Sequence, residues 1–151
     1  MDITPKEHGL AITQSRAEFE SEATTHLPAA RSAVRRALIV ARAFAERAAI
    51  TDEASAHLAL IVEEWLTNVV EHGEAAAGAR IVLQLKHASG LVRLTVTDAG
   101  RPFDPRAVAF EGPNLARGGG AGLALIRAWC RIADYRRAGG RNRVIFEMPL
   151  P

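Results

Sequence analysis

The stretch VEEWLTNVVEHG, from Val62 to Gly73, has the pattern of an amphipathic helix that carries an unusual row of polar side chains. With about 3.6 residues per turn, one apolar stripe forms and predicts that the helix packs on a sheet. The stripe comprises Leu58, Ile61, Val62, Trp65, Leu66 and Val69, and Trp65 is expected in the helix–sheet core. Glu64, Asn68 and His72 follow at intervals of four residues and climb one flank of the stripe. Taken alone, this row is slightly more typical of a solvated helix surface that ends at Gly73.

The composition indicates a single folded, soluble domain. A chain of 151 residues can form one core, and 48% hydrophobic against 24% charged residues excludes a disordered tail. No apolar run is long enough to span a bilayer, and the first residues lack the pattern of a secretory signal. The single cysteine, Cys130, cannot form an internal disulfide and is expected as a small buried residue. We therefore expect one cytoplasmic domain over residues 1–151, with residues 1–14 loosely ordered.

The formal charge of +2 is too small to argue for nucleic acid, but the arginines are clustered. One cluster comprises Arg31, Arg35, Arg36, Arg42 and Arg47, and the other comprises Arg127, Arg131, Arg136, Arg137, Arg141 and Arg143. Solvated helix faces with an edge hairpin are the more frequent explanation, and a docking surface for an acidic partner is the alternative. We expect neither a membrane nor direct nucleic acid as a partner.

Hydrophobic periodicity in the first half of the chain predicts one strand followed by two helices. Residues Ser15 to Thr25 alternate like a half-buried edge strand. From Leu27 to Ala49 the spacing becomes helical, with Pro28 tolerated in the first turn. Thr51 and Asp52 are capping candidates for the next helix, which carries the quoted stretch.

The second half predicts two hairpins separated by a loop and a helix. Strands at RIVLQLKH (80–87) and LVRLTVTD (91–98) are joined by a turn at Ala88 to Gly90. Arg101 to Gly122 is predicted as loop with room for one helical turn, and a helix follows from about Leu123 to Ala133. ADYRRA and RVIFEMPL then form a terminal hairpin around GGRN. The fold class is therefore an α/β (α+β) sandwich: one mixed, mostly antiparallel sheet covered by helices.

Two loop motifs give the polar row a chemical context. Asp98 ends a strand and is followed by Gly100, in the stretch TVTDAGRPFDP. Further on, ARGGGAGLALI places Gly118, Gly119, Gly120 and Gly122 before a helix. Glycines ahead of a helix let backbone N–H groups approach an anion, although one glycine-rich stretch is weak support. The stretch lacks the ending of a Walker P-loop and does not follow an initial strand as a Rossmann fingerprint does.

The ordered set of motifs is more specific and resembles the GHKL ATPases. The set is Glu-x-x-x-Asn-x-x-x-His on a helix, Asp-x-Gly after a strand, and Gly-x-Gly-x-Gly-Leu opening a helix. GHKL ATPases are the Bergerat-fold nucleotide-binding domains of gyrase, MutL and the sensor histidine kinases. Within them, the compact chain with DAGRPFDP and GAGLALI looks most like the bacterial anti-sigma-factor serine/threonine kinases. The resemblance covers roughly Ala17 to Met148.

The resemblance implies a role for each motif residue. Asn68 matches the asparagine that holds Mg²⁺ on the phosphates of ATP, for which one amide oxygen suffices beside water and phosphate. Glu64 matches the general base, and His72 matches a position near the phosphates. Asp98 matches the acceptor of the adenine amino group, and Gly100 matches the glycine that gives the base room. The residues implied at the phosphates are Gly118, Gly120, Gly122 and Leu123.

Three departures from the family pattern concern the nucleotide site. Pro102 replaces a usual second glycine, which fixes φ and removes an N–H. Near the last strand, where the family commonly has a Gly-Thr pair that helps to bind adenine, this chain has Asn142 instead, and its amide can still donate and accept. The stretch from Asp104 to Arg117 is short for an ATP lid, as in the serine-kinase branch.

The sequence supports one leading function and two alternatives. The first is an ATP-dependent kinase that phosphorylates an anti-sigma-factor antagonist, sequesters a sigma factor and forms a homodimer. The second is an ATP-binding module that sequesters a partner without phosphotransfer; the presence of Glu64 favours the enzyme. The third is a free-standing histidine kinase domain, for which His26 lacks the expected helical hairpin and is interpreted as a loop residue.

Overall fold

A single five-stranded sheet forms one layer of the protein. The computed structural model describes residues 19–108 and 121–151, apart from the side chain of Ala121. The strands are β1 (Ser21–Pro28), β2 (Arg80–Ala88), β3 (Leu91–Asp98), β4 (Arg131–Ala138) and β5 (Arg141–Pro149), in the order β1-β2-β3-β5-β4. Each described pairing is antiparallel, so the sheet predicted as mixed is antiparallel throughout the described strands. The expected loosely ordered residues 1–14 lie outside the described part.

Three helices form the second layer and confirm the predicted sandwich. They are α1 (Ser32–Arg47), α2 (Asp52–His72) and α3 (Ala121–Trp129), with one short 3₁₀ turn at Pro105–Ala107. The predicted apolar stripe of α2 is buried as expected, together with alternate residues of the strands and Ile126 of α3. Thr51 caps α2 by accepting a hydrogen bond from the backbone N–H of Ala54 at 3.2 Å. Among the described helices, none has the length and apolarity to span a membrane.

The predicted boundary between the first strand and α1 was wrong by several residues. β1 is the expected edge strand, but it runs on to Pro28, and α1 begins at Ser32 and not at Leu27. Leu27 pairs with Ile81 of β2 and is fully buried, so tertiary pairing holds it in the strand. His26, predicted in a loop, is an exposed residue of β1. Residues 15–18 of the predicted strand lie outside the described ranges.

A second boundary differs between α3 and β4. The helix predicted to reach Ala133 ends at Trp129, because Ile132 pairs with Phe146 of β5 and the strand shifts register between Ile132 and Asp134. Cys130, between the two elements, is buried as predicted and its thiol donates to the carbonyl of Ile126 at 3.0 Å. Burial raises the pKa of this thiol to about 12, so it stays a protonated packing residue.

A row of charged side chains crosses the sheet on the face opposite the helices. Glu22, Lys86, Arg93, Glu147 and Arg131 are successive cross-strand neighbours. Lys86 lies 3.6 Å from Glu22, while nearly buried Glu147 pairs with Arg93 at 2.8 Å and also with Arg131. Hydrogen bonds from Arg131 and then Arg93 lower the pKa of Glu147. The row favours the observed register, since opposite charges face each other at three of its four steps.

Candidate functional site

Two adjoining cavities lie between α2, the end of β3 and the start of α3. They measure about 260 and 250 Å³ and share four lining residues: Trp65, Asn68, His72 and Phe103. The first cavity also contacts Asp98 and Asn142, and the second also contacts Glu64, Gly122 and Leu123. The polar row of α2 therefore faces these cavities. Most of the residues predicted from the motifs meet at one place, while Gly118 and Gly120 lie outside the described residues.

Trp65 separates the core from the cavities. Its side chain is 4% exposed, as predicted for a core residue, and packs edge-on against Phe146 with ring centroids 5.1 Å apart. Its other neighbour is Phe103, at 6.0 Å between centroids. Among the described residues, no partner accepts a hydrogen bond from the buried Nε1. The indole thus forms a buried aromatic floor under both cavities.

Glu64 and Gly122 bring α2 into contact with the first turn of α3. Glu64 is half-buried, and a Cβ on residue 122 would overlap its Oε2 atom. A larger residue at position 122 would therefore displace this carboxylate from its place beside the first turn of α3. The helix N-terminus favours an anion, and Asn68 offers an amide oxygen one turn further along α2. This arrangement places an acceptor for a proton next to a position suited to phosphate.

A second glycine contact joins the end of α2 to the end of β3. A Cβ on Gly100 would lie 2.7 Å from the carbonyl oxygen of Gly73 and 3.0 Å from its Cα. The backbone N–H of Arg101 donates to the same carbonyl at 2.7 Å, and its Nε donates to the carbonyl of His72 at 2.9 Å. Gly100 thus has a packing role here, because these bonds hold the two ends that carry His72 and Asp98. Pro102 follows in the exposed part of the loop.

Asp98 and Asn142 are buried cross-strand neighbours at the back of the first cavity. Each is 5% exposed, and they are paired in the register of β3 and β5. Oδ1 of Asp98 accepts from the backbone N–H of Gly100 at 2.8 Å and from Nδ2 of Asn142 at 3.1 Å. Asn142 itself accepts from the hydroxyl of Tyr135 at 2.6 Å and from Arg137 at 2.9 Å. Neither Tyr135 nor Arg137 was predicted as a site residue.

The loop after β3 is fastened to both β4 and α3. The backbone N–H of Phe103 donates to the hydroxyl of Tyr135 at 3.3 Å. Arg127 of α3 donates to the carbonyls of Pro105 at 2.8 Å and Val108 at 2.9 Å. Arg106 bonds Asp104 and lowers the pKa of that carboxyl group. The wall of the cavities is therefore tied to secondary structure on two sides.

The two arginine clusters have different surroundings. In the second cluster, Arg127 and Arg137 bond the walls of the site, Arg131 pairs with Glu147 and Arg136 pairs with Asp134 at 3.4 Å. Most of that cluster therefore serves the fold. The arginines predicted on the first helix, from Arg31 to Arg47, are all exposed. That surface fits both a solvated helix face and a docking surface for an acidic partner, the two interpretations made from the sequence.

Comparison with known proteins supports the same fold. The model of the histidine kinase-like ATPase domain matches residues 27–148. The structure of the RsbU and RsbW domains of Rv1364c from Mycobacterium tuberculosis is similar with a TM-score of 0.60 and 22% identity, over 86% of this chain and 32% of that chain. The Erythrobacter litoralis EL346 blue-light activated histidine kinase is similar with a TM-score of 0.50 and 25% identity, over 67% of this chain and 32% of that one.

The histidine kinase domain of the same Erythrobacter litoralis EL346 protein, taken alone, is similar with a TM-score of 0.50 and 24% identity, over 82% of this chain and 61% of that chain. The present chain thus spans less than two thirds of each of these three, and the likeness is one of fold. No curated protein matches the sequence. The domain match covers most of the chain and includes the helix, strand and loop that surround the two cavities. The chain therefore belongs to the histidine kinase-like (GHKL) ATPase family.

Proposed function

We propose that the chain is an ATP-dependent protein serine/threonine kinase that acts as an anti-sigma factor and phosphorylates an anti-sigma-factor antagonist. Family membership supports ATP as the nucleotide. The sequence resemblance to anti-sigma-factor kinases and the similarity to a structure that contains an RsbW domain support the narrower assignment.

ATP would occupy both cavities. Its adenine would lie in the first, against Asp98 and the Trp65 floor, and its phosphates in the second, at the N-terminus of α3. Asn68 lines both and would offer its amide oxygen to Mg²⁺, a cation that prefers oxygen ligands and keeps several waters or phosphate oxygens. His72 would lie near the phosphates, and bound Mg²⁺ would neutralise part of their charge.

The observation that carries the kinase proposal is the contact between Glu64 and Gly122. This contact sets a carboxylate at the entrance of a helix N-terminus, one turn before Asn68. A hydroxyl group that approached a phosphate there would meet Glu64 as its proton acceptor. A module that only bound nucleotide would have no need of a base at this position.

The test is phosphotransfer to a protein. The purified chain would be incubated with Mg²⁺, labelled ATP and candidate antagonist proteins encoded beside it, and the modified residue would be identified by mass spectrometry. We expect acid-stable phosphate on serine or threonine. ATP binding with no transfer to any candidate would favour the sequestering module instead, which would hold its partner in a nucleotide-dependent way.

A histidine kinase domain is the other candidate, supported by the similarity to a blue-light activated histidine kinase. In this chain, His26 lies on β1, where it alternates with buried Leu27 and so points to the opposite side of the sheet from the core. His26 is therefore not placed to receive phosphate from the cavities of its own chain, and the phosphoacceptor would be another histidine or a histidine of another chain. Acid-labile phosphate on a histidine would identify this activity.

The proposed partners are a sigma factor, an antagonist protein and a second copy of the chain, in the cytoplasm. The exposed arginines from Arg31 to Arg47 offer a positively charged surface to an acidic partner. Sedimentation at tens of micromolar would test the homodimer, and a strictly monomeric species would contradict it.

A further inference from the structure

The buried hydrogen bonds behind Asp98 determine which of its oxygen atoms a ligand can reach. Both described bonds to the carboxylate, from Gly100 and Asn142, end on Oδ1. No hydrogen bond from the described residues reaches Oδ2, although Asp98 lines the first cavity. One carboxylate oxygen is thus used by the protein, and the other is left for a donor in the cavity.

Asn142 holds this arrangement only in one orientation of its amide. A guanidinium can only donate hydrogen bonds, so the Asn142 atom that contacts Arg137 must be the oxygen. The Tyr135 hydroxyl accepts from Phe103, which leaves its own proton for the same oxygen. The amide nitrogen consequently faces Asp98 and the carbonyls of Gly100, at 3.3 Å, and Arg101, at 2.8 Å.

The opposite orientation would set the amide oxygen against the Asp98 carboxylate, with two acceptors in contact and no proton between them. Tyr135 and Arg137 prevent this from the neighbouring strand. Since each polar side-chain atom of Asn142 already has protein partners, its effect on the hydrogen bonds of a ligand passes through Asp98.

We propose that Tyr135, Asn142 and Arg137 are positioning residues that set the selectivity of the site for a purine with a 6-amino group. They keep Oδ2 of Asp98 aimed at the cavity as an acceptor. An adenine amino group can donate to this oxygen, whereas the 6-oxo group of guanine would face it as a second acceptor. This inference rests on the proposed ATP site.

The test compares two ligands that differ only in the amino group. Dissociation constants for ATP and for purine riboside triphosphate, which lacks the 6-amino group, would be measured by calorimetry on the full chain. For the wild type we expect ATP to bind about 10-fold more tightly or better, the usual scale of a hydrogen bond to a charged group. In Tyr135→Phe, Asn142→Ala and Arg137→Met, we expect that ratio to fall toward one, with affinity for the analogue nearly unchanged.

Arg136→Met is the matched control, because Arg136 is the next residue of β4 and pairs with Asp134 on the other face of the strand. It should keep the wild-type ratio. Equal losses of both ligands in the three variants would indicate a merely structural role and overturn the inference. Equal binding of both ligands by the wild type would also overturn it, while leaving the ATP site intact. Binding of neither ligand by the wild type would overturn the ATP site and the inference together.

Discussion

Gly122 in the first turn of α3 touches the carboxylate of Glu64 so closely that a methyl group on residue 122 would overlap Oε2. The obstructed atom is the end of a side chain that can rotate, so the fold can absorb the change. The proposed base cannot move without leaving its place beside Asn68. A substitution at residue 122 should therefore change the rate of phosphotransfer while leaving the stability of the fold nearly unchanged.

We expect Gly122→Ala to keep or raise the thermal stability, since alanine in a helix is favoured over glycine by about 1 kcal/mol. Phosphotransfer should fall sharply, because Glu64 is displaced. The double variant with Glu64→Gln should transfer no less phosphate than Glu64→Gln alone. Additive losses would mean that Gly122 acts independently of Glu64.

Glu64→Gln should lower phosphotransfer by about 10²-fold or more while retaining most of the ATP affinity, because the amide cannot accept the proton. Glu63→Gln is its control, since Glu63 is exposed on the other flank of α2. Transfer rates and ATP binding would be measured for both. If Glu64→Gln transfers phosphate as fast as the wild type, another group is the base.

Mg-ATP at 100 times its dissociation constant should stabilise the fold by about 2.7 kcal/mol, which raises the melting temperature by roughly 5–10 °C. Asn68→Ala should remove the magnesium-dependent part of this shift, because it deletes the proposed oxygen ligand. Thermal unfolding with ATP and EDTA supplies the metal-free reference. No shift with ATP, ADP or their magnesium complexes would contradict the nucleotide site.

Stability should fall at acidic pH partly through Glu147. Its pKa is lowered in the folded state, so its contribution is complete above the unfolded pKa of about 4.3 and is lost as the pH falls through the folded pKa. In urea unfolding from about pH 6 to about pH 3, Glu147→Gln should lose less stability than the wild type. Glu22→Gln, at the exposed end of the same charged row, should follow the wild type.

Charge reversal of Arg35 and Arg36 should slow association with an acidic partner and flatten its salt dependence, because both residues are exposed on α1. Charge reversal of Arg141 and Arg143, on the terminal hairpin, is the control, because it changes the net charge by the same amount at a different surface. Association rates at several salt concentrations would distinguish the two surfaces. Equal effects would indicate a general charge effect and not docking on α1.

The α2 helix could be predicted almost completely because its signals are local. The apolar stripe, the Thr51 cap and the row of Glu64, Asn68 and His72 all follow from helical geometry. The beginning of α1 was missed although a signal was present: the residue before a proline disfavours the helical region, and Leu27 precedes Pro28. Which strand Leu27 would join depended on a distant pairing with β2.

The hydrogen bonds behind Asp98 could be predicted only in part. A two-residue turn at Gly139 and Gly140, whose φ angles are 58° and 74°, sets Arg137 opposite Asn142, and the GG pair favours this turn. The placement of Asn142 beside Asp98 requires β5 to pair with β3, which lies more than forty residues away in sequence. Local sequence patterns do not show which strand β5 pairs with, so Tyr135 was not identified as a site residue.

Arg127 fixes the chain before position 109 against α3, because its guanidinium group donates hydrogen bonds to the carbonyls of Pro105 and Val108. The entropy of bringing positions 108 and 121 close together is consequently lost when the domain folds, and nucleotide binding does not have to supply it. Closure entropy grows slowly, by about 0.6 kcal/mol for each doubling of loop length. Doubling the number of residues between positions 108 and 121 should therefore cost the domain only about that much stability, because Arg127 would still hold Pro105 and Val108 against α3.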